Sequence, residues 1–315
     1  MSGPVKVVVA LGGNALEDKA LPPTAESQLK VAHRTAEHLA RLSSSGYELA
    51  IVHGNGPQVG RILLASETAA EVTPAMPFDV CGAMSQGYIG YHIQQALTEA
   101  LRRRGKNIPV VSIITQMVVD RDDPAFRNPT KPIGPFYSQK EAEYLAASKG
   151  YTVKEDSGRG WRRVVPSPKP RRIVEIGTIK TLWDTTISIA CGGGGIPVIE
   201  QEDGRLEGVA AVIDKDLAAS RLAQDMNADI LMILTEVPAV AIHFGKPDQT
   251  DLGEVSAHEL ERYAADGQFG AGSMLPKVQA AVEFVKSAPG RRAIITSLDL
   301  GLDALDGKCG TRIRG

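Results

Sequence analysis

Three glycine-rich turns border apolar runs in this chain. Residues 5–11 (VKVVVAL) stop at Gly12-Gly13-Asn14, and residues 47–53 (YELAIVH) stop at Gly54-Asn55-Gly56. A third turn, Cys191-Gly192-Gly193-Gly194-Gly195, leads into 196–200 (IPVIE). A β-branched run without polar alternation is the pattern of a parallel strand covered on both faces. Helical spacing follows the first two turns: Leu29, Ala32, Ala36 and Leu39 recur within 24–42, and 56–68 and 79–104 also read as helices. Strand, glycine turn and helix in repetition predict βαβ units and a mostly parallel α/β sheet with right-handed crossovers. The rhythm continues with strands at 109–115, 229–234 and 292–296, helices at 214–226 and 272–286, and a last edge strand at 307–313.

The 315 residues suffice for a real hydrophobic core without disulfide or metal staples. Lys plus Arg number 35 against 37 Asp plus Glu, a net charge of −2, which disfavours a nucleic-acid binder acting through bulk charge. Cys81, Cys191 and Cys309 are odd in number and form no paired motif, which fits a reducing compartment. No signal peptide and no apolar span of membrane length is read, so the expectation is a cytoplasmic protein without a membrane partner.

Between 121 and 172 the composition shifts. Seven prolines and many basic residues surround Phe126, Phe136, Tyr137, Tyr144 and Trp161. The segment reads as a small inserted subdomain. Ser138 and Glu141 give a capping-box helix start, and 151–154 and 162–166 read as a hairpin. No repeat or low-complexity tract appears, and the expected organisation is one domain over 1–315 with this insertion.

Ligands of open parallel sheets bind beyond the carboxyl ends of the strands. Glycines there let backbone N–H groups approach an anion, and phosphate is the anion that three such turns favour. Neither the dinucleotide fingerprint nor the P-loop spacing is present. Lys215, between Asp214 and Asp216 at a helix start, opposes the helix dipole and so asks for a function. Lys277 lies near another helix start behind Met274 and Pro276, whereas Lys131, taken alone, is a loop charge. The six histidines show no metal-ligand spacing; His53 reads as structural or as touching the site. Gln86, Tyr88, Tyr91, His92 and Gln95 read as packing or, with Ile89, Ile93 and Leu97, as a subunit interface.

These segments together resemble the carbamate kinases within the amino acid kinase superfamily. The similarity runs through 8–16 (VVALGGNAL), 52–60 (VHGNGPQVG), 84–97, 191–200 (CGGGGIPVIE), 209–222 (VAAVIDKDLAASRL), 234–249, 267–285 and 296–313, in order along nearly the whole chain. The resemblance implies a three-layer αβα sandwich around an open, mostly parallel sheet with a small protruding α+β subdomain, and a homodimer. It implies reversible phosphoryl transfer between carbamoyl phosphate and ADP, giving ATP and carbamate. By the same resemblance, Gly12, Gly13 and Asn14 hold the transferring phosphoryl group, and Gly54, Asn55 and Gly56 hold the carbamoyl end. Lys215 and Lys277 contact phosphates, Asp216 orients them, and Lys131 reaches in from the subdomain. Asp214, Thr235, Val237, Val240, Met274 and Pro276 belong to the nucleotide side. Mg²⁺ enters with the nucleotide, and no dedicated protein metal cage is expected. Other kinases of this fold, acting on acetylglutamate, aspartate, a nucleoside monophosphate or isopentenyl phosphate, and a nucleotide sensor without turnover are the alternatives.

Overall fold

The computed structural model describes residues 3–156 and 158–315, without the side chain of Asn14. Its centre is an eight-stranded sheet built around Lys6–Leu11. On one side of that strand lie Ile230–Thr235, Arg292–Ser297, Thr311–Arg314 and Glu254–Ser256 in order; on the other lie Glu48–His53, Ile187–Ile189 and Val110–Ser112. All neighbouring pairs are parallel except Arg292–Ser297 with Thr311–Arg314.

Residues alternate between the faces of a strand, and here both faces are buried. Val8 and Ala10 pack into one core with Ala218, Leu222, Val278 and Phe284, from the helices Lys215–Asp225 and Met274–Lys286. Val7, Val9 and Leu11 pack into the other with Ala36, Leu39, Ile93 and Leu97, from Ala25–Ser44 and Phe78–Arg103. This is the expected αβα sandwich, and it explains why the first strand carries no polar alternation. Ile89, Ile93 and Leu97 are thereby core residues rather than an interface. The apolar side chains that the same helix leaves exposed are Val80, Met84 and Tyr91.

Three expectations need correction. The run 109–115 is a strand only over Val110–Ser112. Beyond it, the Thr115 N–H and carbonyl are both taken by the Gln86 amide, at 2.8 and 3.1 Å, and the chain crosses to a second sheet. That four-stranded sheet, ordered Leu206–Gly208, Ile196–Glu200, Gln116–Val118 and Arg172–Ile173, also takes the strand behind the third glycine turn. The last strand begins at Thr311 and is not an edge, because Glu254–Ser256 pairs outside it.

Within 131–165 the strands Lys131–Tyr137, Trp161–Val165 and Val153–Glu155 form a separate antiparallel sheet. The helix Gln139–Lys149 opens with the Ser138–Glu141 capping box. The hairpin pairs Val153 with Arg163 and Lys154 with Arg162. The strand Lys131–Tyr137 is one that periodicity did not signal.

The third glycine turn packs against the end of the second strand. A Cβ on Gly192 would lie 2.3 Å from His53 Nε2, and one on Gly194, at φ +97°, would lie 2.2 Å from the Ile213 carbonyl oxygen. Gly194→Ala therefore adds backbone strain and a clash; it should destabilise the fold by about 2 kcal/mol or more, read by urea unfolding. His53 is buried with Nδ1 2.7 Å from the Gly54 carbonyl. Burial holds its imidazole down at about 4 from an ordinary 6.5, the Gly54 hydrogen bond offsetting only part of this. Between those values the unfolded chain takes up a proton that the folded chain refuses. Stability should thus fall as pH drops from 6.5 toward 4, by about 3 kcal/mol in all, and His53→Gln should remove that part of the slope.

Candidate active site

The four parallel strands at the middle of the sheet end side by side, and a cleft of about 850 Å³ opens beyond their carboxyl ends. Each strand hands it a residue: Gly12 after Leu11, Gly54 after His53, Thr235 at the end of its strand, and Ser297 at the end of the next. Gly12 is held close to its neighbour, its N–H donating to the Leu234 carbonyl at 3.0 Å. A Cβ there would sit 2.8 Å from that oxygen. Gly13 begins a single 3-10 turn, Gly13–Ala15, and a Cβ on it would meet nothing within 4 Å.

The cations come from helix starts and from the small sheet. Asp214 caps the helix Lys215–Asp225, accepting from the Asp216 N–H at 2.9 Å. Its second oxygen takes the Lys131 ammonium at 3.1 Å. Asp216 is 3% exposed and shared by two lysines: Lys215 Nζ at 2.5 Å on Oδ1 and Lys277 Nζ at 2.8 Å on Oδ2. Burial pushes the Asp216 carboxyl up, but the two ammonium groups outweigh it and hold it below the usual carboxylate range. Burial likewise depresses Lys215, with Lys277 adding to the depression and Asp216 opposing it. Three ammonium groups against two carboxylates leave a positive excess at this corner, and the Lys215 stem lies along Gly54. The arrangement offers cations and backbone N–H groups to a polyanion, with no nucleophile or general base among these side chains.

Of the residues singled out from sequence, Gly12, Gly13, Gly54, Asn55, Gly56, Lys131, Asp214, Lys215, Asp216, Thr235, Val237, Met274 and Lys277 line the cleft. Two do not. Val240 is fully buried, its N–H donating to Thr311 Oγ1 at 2.8 Å, so it is a core residue. Pro276 lies in the first turn of Met274–Lys286 and is not among the residues that line the cleft. Asn14 falls on the turn Gly13–Ala15, and its side chain lies outside the described residues. Arg34, His38, Phe244, Gln268 and Asp299 also line the cleft and were missed. Ser297 and Asp299 follow from the rule that ligands sit beyond strand ends. Arg34 and His38 carry no signal, lying on a helix whose spacing reads as packing.

Among the described residues no group of three or more His, Cys, Asp or Glu side chains is arranged to hold a metal ion. No helix there is long and apolar enough to cross a membrane.

Comparison with known proteins places this geometry. The amino acid kinase family model matches residues 5–297. A carbamate kinase of Pyrococcus horikoshii is 54% identical over 313 residues, covering 98% of this chain and 99% of the relative. A carbamate kinase of Clostridium perfringens is 54% identical with the same coverage. Among solved structures, carbamate kinase from Giardia lamblia bound to AMP-PNP is 47% identical and superposes with a TM-score of 0.93, covering 99% of both chains. The chain belongs to the amino acid kinase family, among its carbamate kinases.

Proposed function

We propose that the chain catalyses reversible phosphoryl transfer between carbamoyl phosphate and ADP, giving ATP and carbamate, which then breaks down to ammonia and carbon dioxide. The observation that carries the reading is the Lys215–Asp216–Lys277 triad, two lysines on one buried carboxylate, beside the Gly12 and Gly54 turns.

In the ATP-forming direction a terminal oxygen of ADP attacks the phosphorus of carbamoyl phosphate. The new P–O bond forms as the bond to the acyl oxygen breaks, and carbamate leaves with that electron pair. Phosphoryl transfer has a loose transition state with charge over three equatorial oxygens, so catalysis is mostly positioning and cation placement. Lys215 and Lys277 supply the charge, and Asp216 keeps two like-charged ammonium groups a fixed distance apart. Gly13 supplies an N–H donor, while Gly12, whose own N–H is held by the Leu234 carbonyl, lets the phosphoryl group approach the backbone, as Gly54 and Gly56 do for the acyl end. In the reverse direction carbamate is already an anion, which is consistent with a site that has no base. Lys131, from the separate small sheet, adds a third cation against Asp214. The nucleotide lies on the side of Thr235, Val237 and Met274.

Magnesium would come with the nucleotide, held by phosphate oxygens and water and neutralising their charge. Asp214, whose Oδ2 is shared only with the partly exposed Lys131, would help to hold it through water, whereas both oxygens of Asp216 are committed to the two less exposed lysines. A homodimer is part of the same reading, and the exposed Val80, Met84 and Tyr91 stripe supports it.

The test is ATP formation from ADP, magnesium and carbamoyl phosphate in a coupled assay, with acetylglutamate, aspartate and uridine monophosphate, each with ATP, as controls. Lys215→Met should lose about a hundredfold or more in turnover while remaining folded by circular dichroism, because one preorganised charge donor is removed. Near-normal turnover in a folded variant removes Lys215 from the mechanism.

A further inference from the structure

Asn55 is the N-cap residue of the helix Gly56–Thr68, yet its side chain makes no capping hydrogen bond. Nδ2 donates instead to the Ser85 hydroxyl at 2.9 Å, on the long helix Phe78–Arg103. Ser85 is fully buried, and its own hydroxyl hydrogen goes to the Gly82 carbonyl at 2.6 Å. A hydroxyl has one hydrogen. With that hydrogen committed to Gly82, Ser85 Oγ presents only lone pairs to Asn55, and only the NH₂ end of the amide can meet it. The network therefore dictates which way the amide faces. On its other side the amide rests on Gly193, at φ +67°, where a Cβ would fall 2.1 Å from Nδ2 and 2.6 Å from Oδ1. Held between Ser85 and Gly193, the side chain has one free polar atom. Oδ1 accepts no hydrogen bond among the described residues, and Asn55 lines the cleft.

We propose that Ser85 is a positioning residue that fixes Asn55 as a hydrogen-bond acceptor, and that the cleft thereby selects acyl phosphates whose acyl group carries an N–H donor. The proposal rests on the acyl phosphate reading given above. Carbamoyl and acetyl phosphate differ by NH₂ against CH₃, groups of nearly the same size. Bond making and breaking at phosphorus are the same for both: the ADP oxygen bonds to phosphorus, and the acyl oxygen leaves as carbamate or acetate. Shape alone discriminates poorly between such isosteres, whereas an acceptor left facing a methyl group is unpaired and penalised. A hydroxyl outside the cleft wall thus sets the chemistry of a residue inside it.

The test compares initial rates of ATP formation from ADP with carbamoyl phosphate and with acetyl phosphate, in the wild-type chain and in Ser85→Ala. Wild type should favour carbamoyl phosphate in kcat/KM. Ser85→Ala frees the amide to turn and should lower that preference by about tenfold or more, with kcat/KM for acetyl phosphate changing by about twofold or less. KM for ADP should stay as in wild type. Asn55→Ala removes the acceptor itself and should cut the preference likewise, which keeps the idea testable if Ser85→Ala does not fold. A parallel fall with both donors, or an unchanged preference, overturns the positioning role and leaves the kinase reading intact. Wild-type protein that makes no ATP from carbamoyl phosphate overturns both.

Discussion

The site is organised around one carboxylate shared by two ammonium groups. Asp216 is 3% exposed, and neither Lys215 nor Lys277 has more than about a seventh of its side chain in contact with water. Removing such charges from water is expensive, and their attraction offsets the penalty only when geometry and hydrogen bonds are good. Here both carboxylate oxygens are used, one per lysine. The two lysines repel each other, so the trio is a compromise that retains a positive excess. An arriving phosphate relieves that repulsion more than it disturbs the carboxylate. A neutral ligand would leave the excess unanswered, which is why the cleft is matched to polyanions before any specific substrate is considered.

That trio can exist only where helix starts meet strand ends. The helix Lys215–Asp225 begins with Asp214 as its cap, so the unfavourable placement of a lysine at a positive helix end is balanced on both sides by aspartates. Lys277 arrives one turn into a second helix packed on the same face of the sheet. The opposite wall is glycine, and a Cβ on Gly54 would lie 3.5 Å from the Lys215 stem. Behind that wall the Gln86 side chain donates to the carbonyls of Thr115 and Gly192 at 3.1 and 2.9 Å, tying the long helix to the third glycine turn. The walls therefore hold their shape through the interior and owe little to surface contacts.

Much of this could be read from residues alone, for identifiable reasons. The strands at 6–11, 48–53 and 230–235 are β-branched and apolar because both faces are covered, and glycine ends two of them. Lys215 stood out because its position contradicts the helix dipole, and the structure brings it against Asp216. What stayed hidden was decided at long range. The pattern IPVIE identifies a strand but not its sheet, and the third glycine turn sends it to the second one. The early end of the strand at Ser112 depends on Gln86, which reads as an ordinary helix residue. Val240 shares a loop with the cleft residues Val237 and Ala239, and only the Thr311 hydroxyl that binds its N–H reveals that it points inward. Arg34 and His38 sit on a helix whose core-facing spacing says nothing about its cleft-facing edge.

The three ammonium groups are not held alike. Lys215 and Lys277 are fixed by a buried carboxylate, whereas Lys131 is 36% exposed and stands at the first residue of a strand in the small sheet. An ion pair with that much water around one partner is worth at most about 1 kcal/mol, against about 3–5 kcal/mol for stripping one partner from a buried pair. Lys131 is thus the ammonium that detaches first. Its sheet is tied to the rest along the helix that starts at Gly56, on whose Val59 and Leu63 the sheet's Ile133 and Val165 pack, and again at that helix's far end. There Glu67 accepts from the Tyr151 hydroxyl and lies 3.6 Å from Lys149 and 3.8 Å from Arg163. One helix therefore joins the glycine turn at its start to the small sheet at its end. The third cation is positioned through this helix and the small sheet, while the other two are positioned by the main core.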